Sequence, residues 1–335
     1  MTKVTRKIGD AEVSALGYGA MGLSVWYGTV GSDEERLKFL DGVYERGCNF
    51  WDTADAYGDS EELIGKWFKR TGKRNEIFLA TKFGFSSPSG KFIDGDPDYA
   101  RAAFEKSIKR LGVDQIDLWY LHRADTEVPI EKTIGAMAEF VKAGRVKYLG
   151  ISECSEATLR RAHAVHPITA LQVEYSIFTL DIEDPKIGLL KAARELGIKI
   201  VAYSPLGRGL LTGQFKSPDD FPADDFRRTV PRYSAANFPN ILKLVDGLKE
   251  VGAKHGATAG QVALAWLLAQ GDDVIPIPGT KKEKYLEENL GALKLQLSSQ
   301  EVQAVRDAAQ KANAEQGDRY PAIFLKSLLA DTPPL

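Results

Sequence analysis

The sequence predicts an α/β fold, a (β/α)8 TIM barrel, and three observations support this prediction. Short apolar or β-branched runs alternate with segments whose apolar residues recur at helical spacing. Eight such runs occur, and strands that alternate with helices favour a parallel sheet whose eighth strand can close a barrel. No change in composition and no low-complexity tract divides the 335 residues, so residues 1–335 are expected to form one domain.

The first element is expected to be an N-terminal β-hairpin below the barrel. Residues 4–8 and 12–14 flank Gly9 and Asp10, a pair suited to a tight turn. The eight barrel strands are then predicted at residues 16–19, 49–52, 77–83, 116–122, 148–152, 170–176, 198–204 and 274–278.

Helical spacing occurs between these strands, and start and stop signals accompany it. The helical segments include residues 34–46, 60–69, 99–111, 130–143 and 185–196. Ser32 with Glu35 predicts a capping box, and Asp59 with Glu62 is a similar pair. A glycine suited to a left-handed C-cap follows each run: Gly47, Gly72, Gly112, Gly144 and Gly197.

Three segments are too long and irregular to be simple connections: residues 84–97, 207–239 and 313–335. The loops that follow the strands of a barrel form its active face, so the extended loops at 84–97 and 207–239 are expected at the C-terminal face.

The composition narrows the function classes. Hydrophobic residues make up 44% of the chain and the net charge is −2, which gives no support for binding to nucleic acid or an anionic membrane. Two cysteines are too few for a disulfide framework or a zinc site, so no metal is expected. No run resembles a signal peptide or a membrane span, which favours a cytoplasmic protein. The residues do not distinguish a monomer from a homo-oligomer.

Residues 17–22 match the dinucleotide-binding pattern G-x-G-x-x-G, and Asp52 ends the next strand. A Rossmann site requires a helix that opens directly at these glycines, whereas the next helix here begins only after Ser32. We interpret the motif as a glycine-lined strand end where a ligand can approach Gly19, Ala20 and Met21.

Four residues at the ends of strands two to four suit carbonyl reduction: Asp52, Tyr57, Lys82 and His122. Each alone has an ordinary structural explanation, but one barrel face would bring them together. A phenol with a pKa near 10 becomes a better acid beside an ammonium ion, and Asp52 would keep Lys82 charged. His122 could orient the substrate oxygen as a neutral donor or share the proton, which makes Tyr57 the expected proton donor.

The strings WDTADAYGDSE, ATKFG and LWYLH resemble segments of the aldo-keto reductase family, over residues 16–292. The resemblance implies NADPH-dependent reduction of aldehydes or ketones to alcohols. It places that family's catalytic tetrad on Asp52, Tyr57, Lys82 and His122. The pattern is most similar to fungal and plant pyridoxal or aryl-aldehyde reductases and auxin-induced-like proteins.

The same resemblance implies a cofactor site at the later strand ends. Ser152 and Gln172 would hold the nicotinamide carboxamide, and Tyr203 would stack on the ring, although a core aromatic is the plain alternative. Glu153 stands where the family usually has Asn, and a carboxylate cannot donate to the amide carbonyl. Further contacts are expected from the pyrophosphate loop residues Ser204, Pro205, Leu206, Gly207 and Arg208.

A last segment resembles the family's adenosine-phosphate site. Lys281 and Lys282 favour NADPH over NADH because two cations suit an additional phosphate, and Tyr285 stands where the family often has Arg. Glu288 and Asn289 would hold the adenine amine. Gly279 belongs to the same segment.

Aromatic residues are expected around the substrate. Trp26 and Phe85, with Tyr57 and His122, would contact it; the wider set adds Tyr27, Phe83, Tyr320 and Phe324. Such walls suit aromatic or medium-chain aldehydes, including pyridoxal-like compounds. Arg227, Arg228 and Arg232 form either a lid or a solvated loop.

Two alternatives stay open at this point. Potassium-channel β-subunits resemble the same family and act mainly as cofactor-bound partners, although they tend to differ at the position of His122. A Schiff-base aldolase could use Lys82, but Asp52 would keep that amine protonated.

Overall fold

The computed structural model describes residues 4–85 and 90–335, so the predicted loop at 84–97 lies partly outside the described residues, at 86–89. A two-stranded hairpin precedes eight parallel strands that are hydrogen-bonded in chain order. The hairpin strands are β1 (Thr5–Ile8) and β2 (Ala11–Ser14). The barrel strands are β3 (Tyr18–Gly19), β4 (Phe50–Asp52), β5 (Phe78–Phe83), β6 (Ile116–Leu121), β7 (Val146–Ser152), β8 (Ile168–Glu174), β9 (Lys199–Tyr203) and β10 (Val274–Pro276).

The α-helices of the described residues alternate with the barrel strands and continue after the last strand. They are α1 (Asp33–Glu45), α2 (Ser60–Thr71), α3 (Pro97–Leu111), α4 (Ile130–Lys142), α5 (Glu156–Val165), α6 (Leu189–Glu195), α7 (Phe238–Ala253), α8 (Ala259–Leu268), α9 (Glu283–Gly291), α10 (Ser299–Ala312) and α11 (Ala322–Leu325). None of them is both long and apolar enough to cross a bilayer. The predicted α/β barrel is confirmed.

Backbone hydrogen bonds close the barrel between its first and last strands. Gly17 N donates to Pro276 O at 2.9 Å, and Gly19 N donates to Pro278 O at 3.4 Å. A Cβ atom on Gly19 would lie 2.9 Å from the carbonyl oxygen of Ile277, so glycine permits this close approach. The glycine motif at residues 17–22 leads directly into a short 3₁₀ turn, Met21–Leu23, and not into an α-helix. This confirms that the motif does not open a Rossmann helix.

The hairpin closes the bottom of the barrel, as predicted. Ile8 and Val13 are fully buried and pack with Phe50 and Phe78 in the barrel interior. The opposite face carries the long loops. Residues 207–239 fold there into the short 3₁₀ helices Gly207–Thr212, Pro218–Asp220, Phe226–Thr229 and Pro231–Tyr233.

Most of the predicted helix signals are confirmed. Ser32 and Glu35 form the capping box of α1. The predicted glycines all have positive φ: Gly47, Gly72, Gly112, Gly144 and Gly197.

Two of the predicted helix features are wrong in detail. Asp59 occupies the N-cap of α2, but its side chain accepts two 2.8 Å hydrogen bonds from Arg36 instead of capping the helix. A guanidinium offers charge-assisted bonds that the backbone N–H groups cannot match. The helix expected at 185–196 begins only at Leu189, because Gly188, with φ +67°, occupies its N-cap.

Candidate active site

A cavity of 720 Å³ opens at the carboxyl ends of the barrel strands. Its walls include nearly all of the predicted site residues. Three of the residues predicted for catalysis or cofactor binding do not line it. Ala20 and Lys82 are fully buried behind the wall, and Gly207 is covered by the aromatic ring of Phe178.

A buried ion pair lies beneath the cavity floor. Lys82 Nζ donates to Asp52 Oδ1 at 2.5 Å and to the Thr53 carbonyl at 2.7 Å. Gln172 Nε2 donates to the other Asp52 oxygen at 2.7 Å. Burial disfavours the ammonium form of Lys82, but Asp52 outweighs that effect and holds the pKa of Lys82 above its ordinary value. Lys82 is therefore a cation and not a free amine, which argues against a Schiff-base aldolase.

Tyr57 lies directly over this pair. The Lys82 ammonium is 4.9 Å from the centroid of the Tyr57 ring, close enough to favour the phenolate form of Tyr57. Burial raises the pKa of Tyr57, and the opposing influence of Lys82 is smaller, so the net shift is upward. The expectation of a lowered pKa is wrong in sign because the cavity desolvates the phenolate. Tyr57 is consequently protonated at neutral pH, with a cation placed to stabilise the phenolate when the proton leaves.

His122 stands beside Tyr57 as a neutral imidazole. The two ring centroids are 5.6 Å apart, with the rings edge to face. Burial, and then the charges of Arg123 and Lys82, hold the pKa of His122 well below its usual value. Its Nδ1 atom is buried and has no hydrogen-bond partner among the described residues. These features match the predicted role of His122 as a neutral group near a substrate oxygen.

The residues predicted for a nicotinamide lie together on the neighbouring wall. Ser152 and Tyr203 end β7 and β9, Gln172 lies two residues before the end of β8, and all three line the cavity. The Tyr203 ring is half-buried against the barrel interior, so it is both a core aromatic and a cavity wall. A hydroxyl, an amide and a flat ring are groups that can hold a nicotinamide.

Glu153 is turned away from this wall. Its carboxylate is fully buried and accepts hydrogen bonds from Arg319 at 2.7 and 3.0 Å and from the Tyr203 hydroxyl at 2.8 Å. Burial would raise the pKa of Glu153, but Arg319 outweighs it and lowers that pKa to about 2. Arg319 also binds Glu174 at 3.2 Å. Glu153 thus anchors the C-terminal segment and the Tyr203 ring, and does not replace Asn as a carboxamide ligand.

The cations predicted to bind phosphate differ in how far their side chains are already bonded to other groups of the protein. The Arg208 guanidinium lies 4.3 Å from the Tyr320 ring centroid and 3.7 Å from Glu174, with its side chain almost fully buried. Lys281 Nζ donates to the carbonyls of Tyr27 and Thr29 at 2.6 and 2.9 Å. Lys282 is exposed at the cavity rim, so it is the more available of the two lysines.

Arg227, Arg228 and Arg232 all form hydrogen bonds or ion pairs with other groups of the protein. Arg227 lines the cavity and pairs with Asp225 at 2.7 Å. Arg228 donates to the carbonyls of Phe221 and Pro222. Arg232 is buried and donates to the carbonyls of Phe178 and Gly317, so the prediction of a solvated loop is wrong for it.

Aromatic side chains surround Tyr57 and His122. Trp26 packs against Tyr57 at 6.1 Å between centroids, and Phe85 packs against His122 at 5.2 Å. Phe324 comes from the C-terminal segment and lies 6.4 Å from Phe85. Tyr27 and Tyr320 also line the cavity.

Phe83 does not belong to this wall, although it was predicted to do so. It is fully buried and stacks on Trp119. Successive side chains of a strand point to opposite faces, so when Lys82 points into the barrel, Phe83 points out.

Comparison with known proteins agrees with this geometry. Residues 15–310 match the model of the aldo/keto reductase family. The chain belongs to that family. Aldo/keto reductases are oxidoreductases that reduce carbonyl groups with NADPH, and the chain is accordingly an NADP-dependent oxidoreductase acting on CH–OH groups.

Two family members and one solved structure illustrate the similarity. Aldo-keto reductase str7 of Strobilurus tenacellus is 62% identical, over 99% of this chain and 98% of that protein. Aldo-keto reductase yakc [NADP(+)] of Schizosaccharomyces pombe is 52% identical, over 100% and 99%. The glycerol dehydrogenase AKR11B4 of Gluconobacter oxydans is 28% identical, with a TM-score of 0.84 over 95% of this chain and 98% of that one.

Proposed function

We propose that this aldo/keto reductase reduces aromatic or medium-chain aldehydes, including pyridoxal-like compounds, to alcohols, with Tyr57 as the proton donor. One observation carries the proposal: a protonated phenol lies over the buried Asp52–Lys82 pair at the floor of an aromatic cavity. The yakc relative is named for NADP(+), which supports the same cofactor here. Residues 1–335 are proposed to act as one domain.

In this mechanism the bound NADPH supplies the hydride, and the protein supplies the proton. Tyr57 hydrogen-bonds to the carbonyl oxygen of the substrate and transfers its proton as negative charge develops there. The Lys82 ammonium stabilises the resulting phenolate, and Asp52 keeps Lys82 charged and in place. His122, a neutral imidazole that carries one N–H, donates a second hydrogen bond that orients the carbonyl.

The cavity residues fit the cofactor at several points. Ser152 and Gln172 would hold the carboxamide, with Tyr203 against the ring. Arg208 and the loop at Ser204–Leu206 would hold the pyrophosphate, and Lys282 the 2′-phosphate. Gly19, Met21, Gly279, Tyr285, Glu288 and Asn289 complete the wall. Ala20 and Gly207 would support this wall from behind.

The proposal is tested by NADPH oxidation with a panel of aldehydes, followed at the nicotinamide absorbance band. We expect turnover with benzaldehyde derivatives, medium-chain aldehydes and pyridoxal. A protein that binds NADPH and oxidises it with none of them would contradict the proposal and favour a regulatory, cofactor-bound role. His122 at the catalytic position supports the enzymatic role.

Substitution of the two lysines should change cofactor preference. The double variant Lys281→Ala/Lys282→Ala is expected to lower the NADPH-to-NADH ratio of kcat/KM by about 10-fold or more, because charge-assisted bonds to the 2′-phosphate are lost. Most of the change should appear in Lys282→Ala alone, since Lys281 is occupied by loop carbonyls. Lys284→Ala is the matched control, and an unchanged ratio in the double variant would refute this assignment.

The pH profile of reduction follows from the raised pKa of Tyr57. A proton donor must be protonated, and a pKa above the ordinary 10.0 extends the active form to higher pH. We therefore expect kcat for aldehyde reduction to stay level through neutral and mildly alkaline pH, with the midpoint of any alkaline decline above pH 10.0. A decline of kcat with a midpoint near neutral pH, in protein that remains folded, would contradict this.

A further inference from the structure

Arg123 is a buried cation of the cavity with no role in the mechanism above. It follows His122 at the end of β6, is 7% exposed and lines the cavity. Its Nη1 atom donates to the His122 carbonyl at 2.7 Å and to Ser152 Oγ at 3.2 Å, and its Nε atom is buried without a partner in the described part of the chain.

Arg123 differs from the other arginines around the cavity in its lack of a carboxylate partner. Arg319 pairs with Glu153, Arg208 faces Glu174, and Arg227 pairs with Asp225. Arg123 forms no ion pair with an Asp or Glu within residues 4–85 and 90–335; the carboxylate of Glu153 helps to raise the pKa of Arg123, but its direct partner is Arg319. A buried guanidinium is costly unless an anion accompanies it, so the site favours an anionic ligand.

The position of Arg123 identifies which ligand that would be. Its contacts with the His122 carbonyl and with Ser152 place it close to the proposed position of the reacting carbonyl. Its charge helps to hold the pKa of His122 down and opposes the rise of the pKa of Tyr57. Its guanidinium also lies 5.6 Å from the ring centroid of Phe85, on the aromatic wall. A nicotinamide carboxamide is uncharged and would not balance this cation.

We propose that Arg123 binds a carboxylate of the substrate, so that the enzyme selects aldehydes and ketones that carry an acid group on a flat apolar body. This inference rests on the proposed function, because it concerns the substrate of the same site. The guanidinium would form charge-assisted hydrogen bonds to the carboxylate while Tyr57 and His122 hold the carbonyl oxygen.

A matched pair of substrates tests the proposal: 4-carboxybenzaldehyde and 4-methylbenzaldehyde. We expect the wild-type enzyme to favour the carboxylate in kcat/KM, and Arg123→Met to lower kcat/KM for it by about 10- to 100-fold, as for loss of a hydrogen bond to a charged group. The loss with the methyl compound should be smaller, so that the ratio of the two kcat/KM values falls by about 10-fold or more. Arg123→Lys should recover part of the selectivity, and Arg101→Met, an exposed arginine far from the cavity, is the control.

The other possible results distinguish a failure of the Arg123 inference from a failure of the proposed function. Equal wild-type rates with both aldehydes, or an equal loss with both in Arg123→Met, would overturn the inference and leave the proposed function intact. A higher Kd for NADPH in Arg123→Met, measured by fluorescence titration, would overturn the inference and favour a contact of Arg123 with the cofactor through Ser152. No oxidation of NADPH by the wild-type protein with either aldehyde would count against the proposed function itself.

A second experiment uses only the wild-type enzyme, so its result does not depend on whether Arg123→Met folds. Benzoate and benzamide have similar shapes and differ in charge, so they can compete with 4-methylbenzaldehyde in the wild-type enzyme. We expect benzoate to inhibit at a concentration about 10-fold or more below that of benzamide. Equal inhibition would overturn the inference.

Discussion

Tyr57→Phe is expected to lower kcat for aldehyde reduction by roughly 10²- to 10⁴-fold. The phenylalanine ring keeps the contact with Trp26 and His122 but removes the proton that the developing alkoxide needs. Binding of NADPH should be nearly unchanged, because the hydroxyl faces the Lys82 ammonium. Steady-state kinetics with one aldehyde and fluorescence titration with NADPH measure the two effects separately.

Tyr44→Phe provides the matched control for this variant. The Tyr44 hydroxyl binds Glu76, outside the cavity, so its loss should not change kcat. If Tyr57→Phe kept the activity of Tyr44→Phe, Tyr57 would not be the proton donor and the assignment would be wrong.

Arg319→Met is expected to lower the free energy of unfolding by about 3–5 kcal/mol, the usual cost of removing one partner of a buried ion pair. The substitution leaves the buried carboxylate of Glu153 without its ion-pair partner, and leaves Glu174 with only Arg208, 3.7 Å away. It also removes the anchor of the C-terminal segment next to Tyr203. Urea denaturation at neutral pH measures the effect, with Arg101→Met as the exposed control.

The pH dependence of this loss has a definite sign. In the wild-type protein the pKa of Glu153 is about 2, below its ordinary 4.5, so its stabilising effect is present above pH 4.5 and is lost as the pH falls towards 2. The difference between Arg319→Met and wild type should therefore narrow below pH 4.5. Glu153→Gln in the Arg319→Met background should restore part of the stability. An effect no larger than that of Arg101→Met would contradict the role given to this pair.

Sequence periodicity predicted the barrel and most of the tetrad geometry because both depend on local rules. Asp52 and His122 lie at or just beyond strand ends, and parallel strands bring such ends to one face. The same rule, applied one residue too far, placed Phe83 in the cavity, although alternation along β5 points it outward.

The features that sequence reasoning missed depend on long-range packing. Glu153 and Arg319 are 166 residues apart in the chain, and only the folded C-terminal segment brings them together. The pKa of Tyr57 was predicted with the wrong sign because residue types reveal the neighbouring Lys82 but not the extent of desolvation. Arg123 follows His122 in sequence, yet its lack of a carboxylate partner is visible only in three dimensions.

The central claim is that the cavity places a carbonyl between Tyr57 and a nicotinamide held at Tyr203. A crystal structure of the complex with NADP+ tests it most directly. We expect the nicotinamide ring against Tyr203, its carboxamide at Ser152 and Gln172, and the reactive edge of the ring facing the Tyr57 hydroxyl. A nicotinamide bound away from Tyr203, or a Tyr57 hydroxyl separated from the Lys82 ammonium in that complex, would contradict it.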